Sequence, residues 1–144
     1  MKILKKDLTT ISSGIILHQV NCQGRFASGL VGCIRQKYPE VYLSYMNFYQ
    51  TYGKHNLLGK FDDVHVSDSL VIVNCFSQEF YGYDGKRYTD YYSIRKIFGD
   101  VYKKFGEKEY FAPVRFGSGL GGGDWNVVSE IILEQIPSIT FCEI

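Results

Sequence analysis

The sequence predicts an α/β fold in three layers, a mixed and mostly parallel sheet with helices on both faces. Two observations predict it. Apolar, β-branched runs alternate with stretches of helical periodicity over most of the chain, the pattern that feeds parallel strands through crossover helices. Two glycine-marked turns each stand between a strand and a helix, where folds of this class bind ligands at the carboxyl ends of their strands. With 144 residues and no repeat, low-complexity tract or linker, the chain reads as one domain over residues 1–144.

Residues 1–4 open as a short strand, and Ser13-Gly14 leads into residues 15–20, whose β-branched content marks a buried central strand. The polar turn from Asn21 to Gly29 ends that run and delivers the chain to a helix from Leu30 through Ile34 to Lys37. Pro39 disfavours helical geometry at Tyr38 and itself opens a second helix, which Gly53 ends. Its stripe of Tyr42, Tyr45, Phe48, Tyr49 and Tyr52 is expected to pack into the core. Residues 61–66 alternate as a half-buried strand, Asp68-Ser69 turns, and residues 70–76 form a fully buried one. The tyrosine-rich residues 78–88 are expected as a surface loop long enough to act as a lid. Thr89 or Asp90 caps a third helix with Ile94, Ile97, Phe98, Val101, Tyr102 and Phe105 facing inward. Residues 110–116 form a strand running straight into Gly117-Ser118-Gly119-Leu120-Gly121-Gly122-Gly123. A helix over residues 125–135, closed by Pro137, and a terminal strand over residues 139–142 complete the chain.

A formal net charge of +1 supplies no long-range field, so an extended nucleic-acid-binding face is not expected. No apolar run approaches the length of a membrane span. Cys22, Cys33, Cys75 and Cys142 are widely spaced with no C-x-x-C pair, and no secretory segment precedes them. Reduced thiols in a cytoplasmic protein are therefore expected, and nothing in the sequence calls for a metal or a cofactor.

A strand, the Gly117–Gly123 run and then a helix form an arrangement in which several backbone N–H groups converge on an anion. Glycines tolerate positive φ and remove the side chains that would hold a phosphate off, and the helix N-terminus adds a favourable dipole. The plainer reading is a flexible connection with Asp124 as an N-cap. The run matches neither the P-loop nor the dinucleotide fingerprint, which argues against ATP hydrolysis and ordinary hydride transfer. In the other turn Asn21 can donate to and accept from a hydroxylated ligand, and Ser28-Gly29 opens the next helix. His18 lies near the carboxyl end of its strand, as either a satisfied core histidine or an acid–base group, whereas His55 and His65 have no comparable setting.

Three segments carry a resemblance: Lys5-Lys6-Asp7-Leu8, His18-Gln19-Val20-Asn21 and Pro113-Val114-Arg115-Phe116-Gly117-Ser118-Gly119-Leu120 are similar, in order and across the whole chain, to the ligand-contacting segments of macrodomains. Within that family, His18 to Pro39 and Tyr52-Gly53 with Asn56-Leu57-Leu58-Gly59-Lys60 most resemble the yeast-type ADP-ribose 1″-phosphate phosphatase branch. The resemblance implies ADP-ribose or a derivative as ligand. Asp7 would accept the adenine amino group with the Leu8 backbone assisting, and Asn21 would hold the distal ribose. Backbone N–H groups of Ser118, Gly119, Leu120 and Gly121, in the turn that Gly117 opens, would take the diphosphate, with the helix start at Ser28, Gly29, Leu30 and Val31 approaching from the other side. Lys6 stands where many macrodomains have glycine.

Three activities follow from the resemblance. The first is hydrolysis of ADP-ribose 1″-phosphate with His18 and Asn21 as catalytic residues, His18 activating water or protonating the leaving oxygen. The second is removal of ADP-ribose from a protein or nucleic acid, with an ADP-ribosylated macromolecule as partner. The related branch uses a lysine and an aspartate for this, but Gly121 stands at the aspartate's place and Asn74-Cys75-Phe76 at the lysine's, which leaves only Asp124 and Lys86 as substitutes. The third is non-catalytic binding. Phe141 and the tyrosines of the lid are the candidates to stack on adenine.

Overall fold

The computed structural model describes residues 1–143. Six strands, β1 (Lys2–Lys5), β2 (Gly14–Asn21), β3 (Phe61–His65), β4 (Leu70–Gln78), β5 (Tyr110–Pro113) and β6 (Thr140–Glu143), form one sheet in the order β1-β6-β5-β2-β4-β3. All neighbours are parallel except the β3–β4 pair. Helices α1 (Leu30–Lys37) and α2 (Pro39–Tyr52) bury Ile34, Val41 and Tyr45 on one face with Ile16, Val20 and Ile72 of the sheet. Helices α3 (Tyr91–Phe105) and α4 (Trp125–Gln135) bury Ile94, Phe98, Val128 and Ile132 on the other with Leu17, Val73 and Phe141. The expected three-layer α/β architecture is present, and no helix among the described residues is long and apolar enough to cross a membrane.

Local chemistry fixes most helix ends. Asp90, rather than Thr89, caps α3 by accepting from Ser93 N, and Asp124 caps α4 by accepting from Asn126 N. Pro39 opens α2, and Gly53 follows its end with φ of 75°. The plainer role open to Asp7, a turn cap, is the one it has: its carboxylate caps a short 3-10 turn over Leu8–Thr10, accepting from the backbone and hydroxyl of Thr9.

Strand ends differ more. β4 continues to Gln78 because its pairing with β2 persists past a bulge to Asn21↔Gln78. β5 stops at Pro113, not at residue 116. Its pairing with β2 lasts only from Ile15↔Tyr110 to Ile16↔Phe111, and after Pro113 the chain turns, with Phe116 N bonded to the Pro113 carbonyl and Arg115 at a φ of 66°. The two strands therefore part at their carboxyl ends. Phe141 is completely buried with its ring edge-on to Trp125 at 5.0 Å, so it belongs to the core and is not a free stacking surface. The α2 stripe packs as expected at Tyr45, while Tyr52 at its end is exposed.

Candidate functional site

The parting of β2 and β5 opens a groove across the carboxyl edge of the sheet. It consists of two adjoining cavities of about 410 and 330 Å³ that share Gln19, Ser28, Val31, Gly117 and Gly119 in their walls. The first adds Asn21, Arg25, Leu120 and Gly121 with Tyr81 and Tyr83 of the lid; the second adds His18, Leu30 and the Pro113–Phe116 turn. A shallower depression of about 780 Å³ lies at the amino ends of the strands, but it has none of the convergent donors described next.

Gly117 adopts a φ of 66° and lets the chain fold back, so that Gly123 N bonds to the Gly117 carbonyl at 2.9 Å and Gly122 N to the Gly119 carbonyl at 3.0 Å. The N–H groups of Gly119, Leu120 and Gly121 then have no acceptor among the described residues, while that of Ser118 is bonded to the Arg115 carbonyl. Across the groove α1 starts without a side-chain cap: Gly29 has a φ of 61°, the first N–H to find an acceptor is that of Cys33, and Ser28 Oγ lies 3.3 Å from Tyr83 Oη of the lid instead. Two sets of unsatisfied backbone donors and a helix dipole thus face one channel.

The turn rests on a buried polar network. Gln19 accepts from Ser77 Oγ at 2.7 Å and donates to Gln78 and Thr89, and Thr89 Oγ1 donates to the Gly117 carbonyl at 2.5 Å. A Cβ on Gly121 would lie 2.5 Å from Thr89 Oγ1 and 2.7 Å from Gln19 Nε2, so the seat has no room for a side chain at 121. The lid joins the same unit, since Tyr88 N and Thr89 N both donate to the Gly121 carbonyl.

Charge in the groove is one-sided. Arg25 and Arg115 are the charged side chains in its lining, no carboxylate lines either cavity, and neither arginine makes an ion pair among the described residues. An anion entering the groove would meet unpaired N–H groups and arginines, with no carboxylate in the lining to oppose it.

Asn21 and His18 line different cavities. The Asn21 side chain is engaged in its own turn, donating to the Arg25 carbonyl at 2.9 Å and accepting from Gln23 N at 3.0 Å. The Tyr45 hydroxyl holds the same residue, donating to its carbonyl at 2.7 Å, and burial pushes the ionisation of that phenol well up. His18 is 1% exposed, with Nε2 2.6 Å from Asn74 Oδ1 and Nδ1 without a partner; burial lowers its pKa from 6.5 to about 4, partly opposed by the Asn74 bond. Asp7 is exposed and Leu8 is buried in the core below α1, and both stand outside the lining of the two cavities, as does Gly29. Asp124 is bound up as a helix cap and Lys86 is an exposed loop residue beside Asp84. Sequence reasoning did not single out Gln19, Arg25, Arg115 or Asn74, which the structure places in or directly behind the groove. Asn74 had a signal, an amide inside an otherwise apolar strand.

The sequence matches no family model and no curated protein. Solved structures do match. A protein from Bacteroides thetaiotaomicron is 24% identical with a TM-score of 0.86, covering 100% of this chain and 99% of that one. A macrodomain protein from Streptomyces coelicolor is 22% identical with a TM-score of 0.81, covering 99% and 98%. DarTG of Thermosipho africanus, solved in complex with ADP-ribose, is 17% identical with a TM-score of 0.71 over 90% of this chain and 38% of that one. The fold of this chain is the macrodomain fold.

Proposed function

We propose that this chain, acting as one macrodomain, binds ADP-ribose or a derivative of it along the groove and hydrolyses ADP-ribose 1″-phosphate to ADP-ribose and inorganic phosphate. One observation carries the binding: among the described residues, the unpaired N–H groups of Gly119, Leu120 and Gly121, the uncapped start of α1 and two unpaired arginines line a single channel that holds no carboxylate. A diphosphate satisfies those donors, and ADP-ribose is the ligand in the Thermosipho structure of the same fold. The resemblance to the yeast-type branch supplies the finer assignment, with adenine toward Asp7 and Leu8 and the distal ribose toward Asn21.

For the chemistry, a ring neutral at pH 7 lets His18 enter the reaction as a base, and the proton it takes up makes it the acid for the leaving oxygen. Nδ1 takes a proton from water, the new O–P bond forms as the bond from phosphorus to the ribose oxygen breaks, and that proton passes to the leaving oxygen. Arg25 and Arg115 offset the charge on the transferring phosphoryl group. A route through a lysine and an aspartate is disfavoured, since Asn74-Cys75-Phe76 stands at the lysine's place and a side chain at 121 would collide with Thr89 and Gln19.

A binding-only role is the second reading, favoured by the burial of His18 and the engagement of the Asn21 amide within its own turn. Mixing the protein with ADP-ribose 1″-phosphate and following free phosphate, with ADP-ribose affinity measured by calorimetry, separates the readings. Turnover lost in His18→Ala with affinity retained is the expected result. Binding without turnover assigns a reader, and no binding of either compound overturns the proposal.

A further inference from the structure

Behind His18 a chain of side chains runs into the protein through β4, β3 and α2. Asn74 Nδ2 donates to the Val41 carbonyl and to Asp62 Oδ2, each at 3.2 Å, and Ser44 Oγ donates to the Asp62 carboxylate at 2.9 Å. Asn74 is completely buried and Asp62 is 7% exposed. Burying an amide and a carboxylate here is unfavourable unless each is bonded, and both are.

The chain decides a tautomer. The Val41 carbonyl can only accept, so the Asn74 amide nitrogen must face it and Oδ1 must face His18. Oδ1 also only accepts, so the hydrogen in the 2.6 Å contact belongs to His18 Nε2. The neutral ring then carries its lone pair on Nδ1, the buried nitrogen that has no partner among the described residues. Native interiors seldom leave such an atom unsatisfied without a use; Nδ1 is itself covered while His18 is one of the residues around the second cavity, so a ligand hydrogen reaches it as the groove adjusts to what it binds.

We propose that Asn74 and, through it, Asp62 and Ser44 are positioning residues that hold His18 as the Nε2–H tautomer, reserving Nδ1 as an acceptor for a hydrogen of the bound ligand or its attacking water. The catalytic half of this inference rests on the hydrolysis proposed above; the tautomer and the acceptor role do not.

The test is the ring nitrogen spectrum of His18 in ¹⁵N-histidine-labelled protein at pH 7, assigned with His18→Gln, before and after addition of ADP-ribose. A protonated Nε2, a bare Nδ1 and an Nδ1 resonance that moves upfield with ligand are expected. Asn74→Leu should mix the two tautomers and slow phosphate release roughly a hundredfold, the size of a general-base contribution, with ADP-ribose affinity changed less than about threefold. A protonated Nδ1, an Nδ1 resonance indifferent to ligand, or folded Asn74→Leu with full turnover overturns the proposal. If Asn74→Leu fails to fold, the spectrum of the unaltered protein still decides. If no phosphate is released by the unaltered protein, the hydrolysis reading fails while the nitrogen resonances still judge this one.

Discussion

At the scale of single residues, the groove depends on groups that give up ordinary freedom to shape a backbone. Tyr45 illustrates this. The stripe on α2 reads in sequence as packing, and the Tyr45 ring does pack against Phe26 and Phe76, yet its hydroxyl also fixes the Asn21 turn. Tyr45→Phe leaves that carbonyl without its donor and is expected to destabilise the protein by roughly 1 to 3 kcal/mol in denaturant melts and to weaken ADP-ribose binding. Gly121→Ala puts a methyl group against Thr89 and Gln19; an overpacking loss of roughly 1 to 3 kcal/mol and a displaced turn should appear together in melts and calorimetry. His18 makes a pH prediction. Its folded pKa, about 4, lies below the ordinary 6.5, so between those values the unfolded chain binds the extra proton. Stability contributed by the neutral ring is full above the upper value and falls as pH drops toward the lower one, by about 3 kcal/mol in all. Urea melts of His18→Gln should lack this share of the acid sensitivity.

Among the elements, what the sequence reveals depends on where the deciding contacts lie. Helices α1, α2 and α4 begin and end where Gly29, Pro39, Gly53, Asp124 and Pro137 place them, because caps and proline act within a few residues. The ends of β4 and β5 escape such reading: one strand is extended by its partner Asn21 and the other abandoned by β2, and both partners are remote in sequence. The site divides in the same way. The glycine turn and the Asn21 turn are written in local composition, whereas the seat of Gln19, Ser77 and Thr89 and the chain behind His18 exist only after β2 and β4 have paired. The lid is expected to behave as a gate. Tyr83 is 75% exposed and touches Ser28 across the groove, so Tyr83→Ala should shift stability by less than about 0.5 kcal/mol. Its effect should appear instead as faster ligand dissociation in stopped-flow experiments.

Over the whole molecule, a net charge of +1 conceals a local imbalance, since both charged side chains lining the groove are arginines. Affinity for a diphosphate ligand should therefore fall as salt rises, and Arg25→Ala together with Arg115→Ala should flatten that dependence in calorimetry across an ionic-strength series. The groove also draws its walls from segments separated by most of the chain, Asn21 to Val31 on one side and Gly117 to Gly121 on the other. No fragment carrying one wall alone forms the site. A compound that fits it consequently binds the native state and not the unfolded chain, and at a hundred times its Kd it should raise the free energy of unfolding by about 2.7 kcal/mol. A thermal-shift titration then turns the distance along the chain between the two walls into a screen for whichever compound fits this groove.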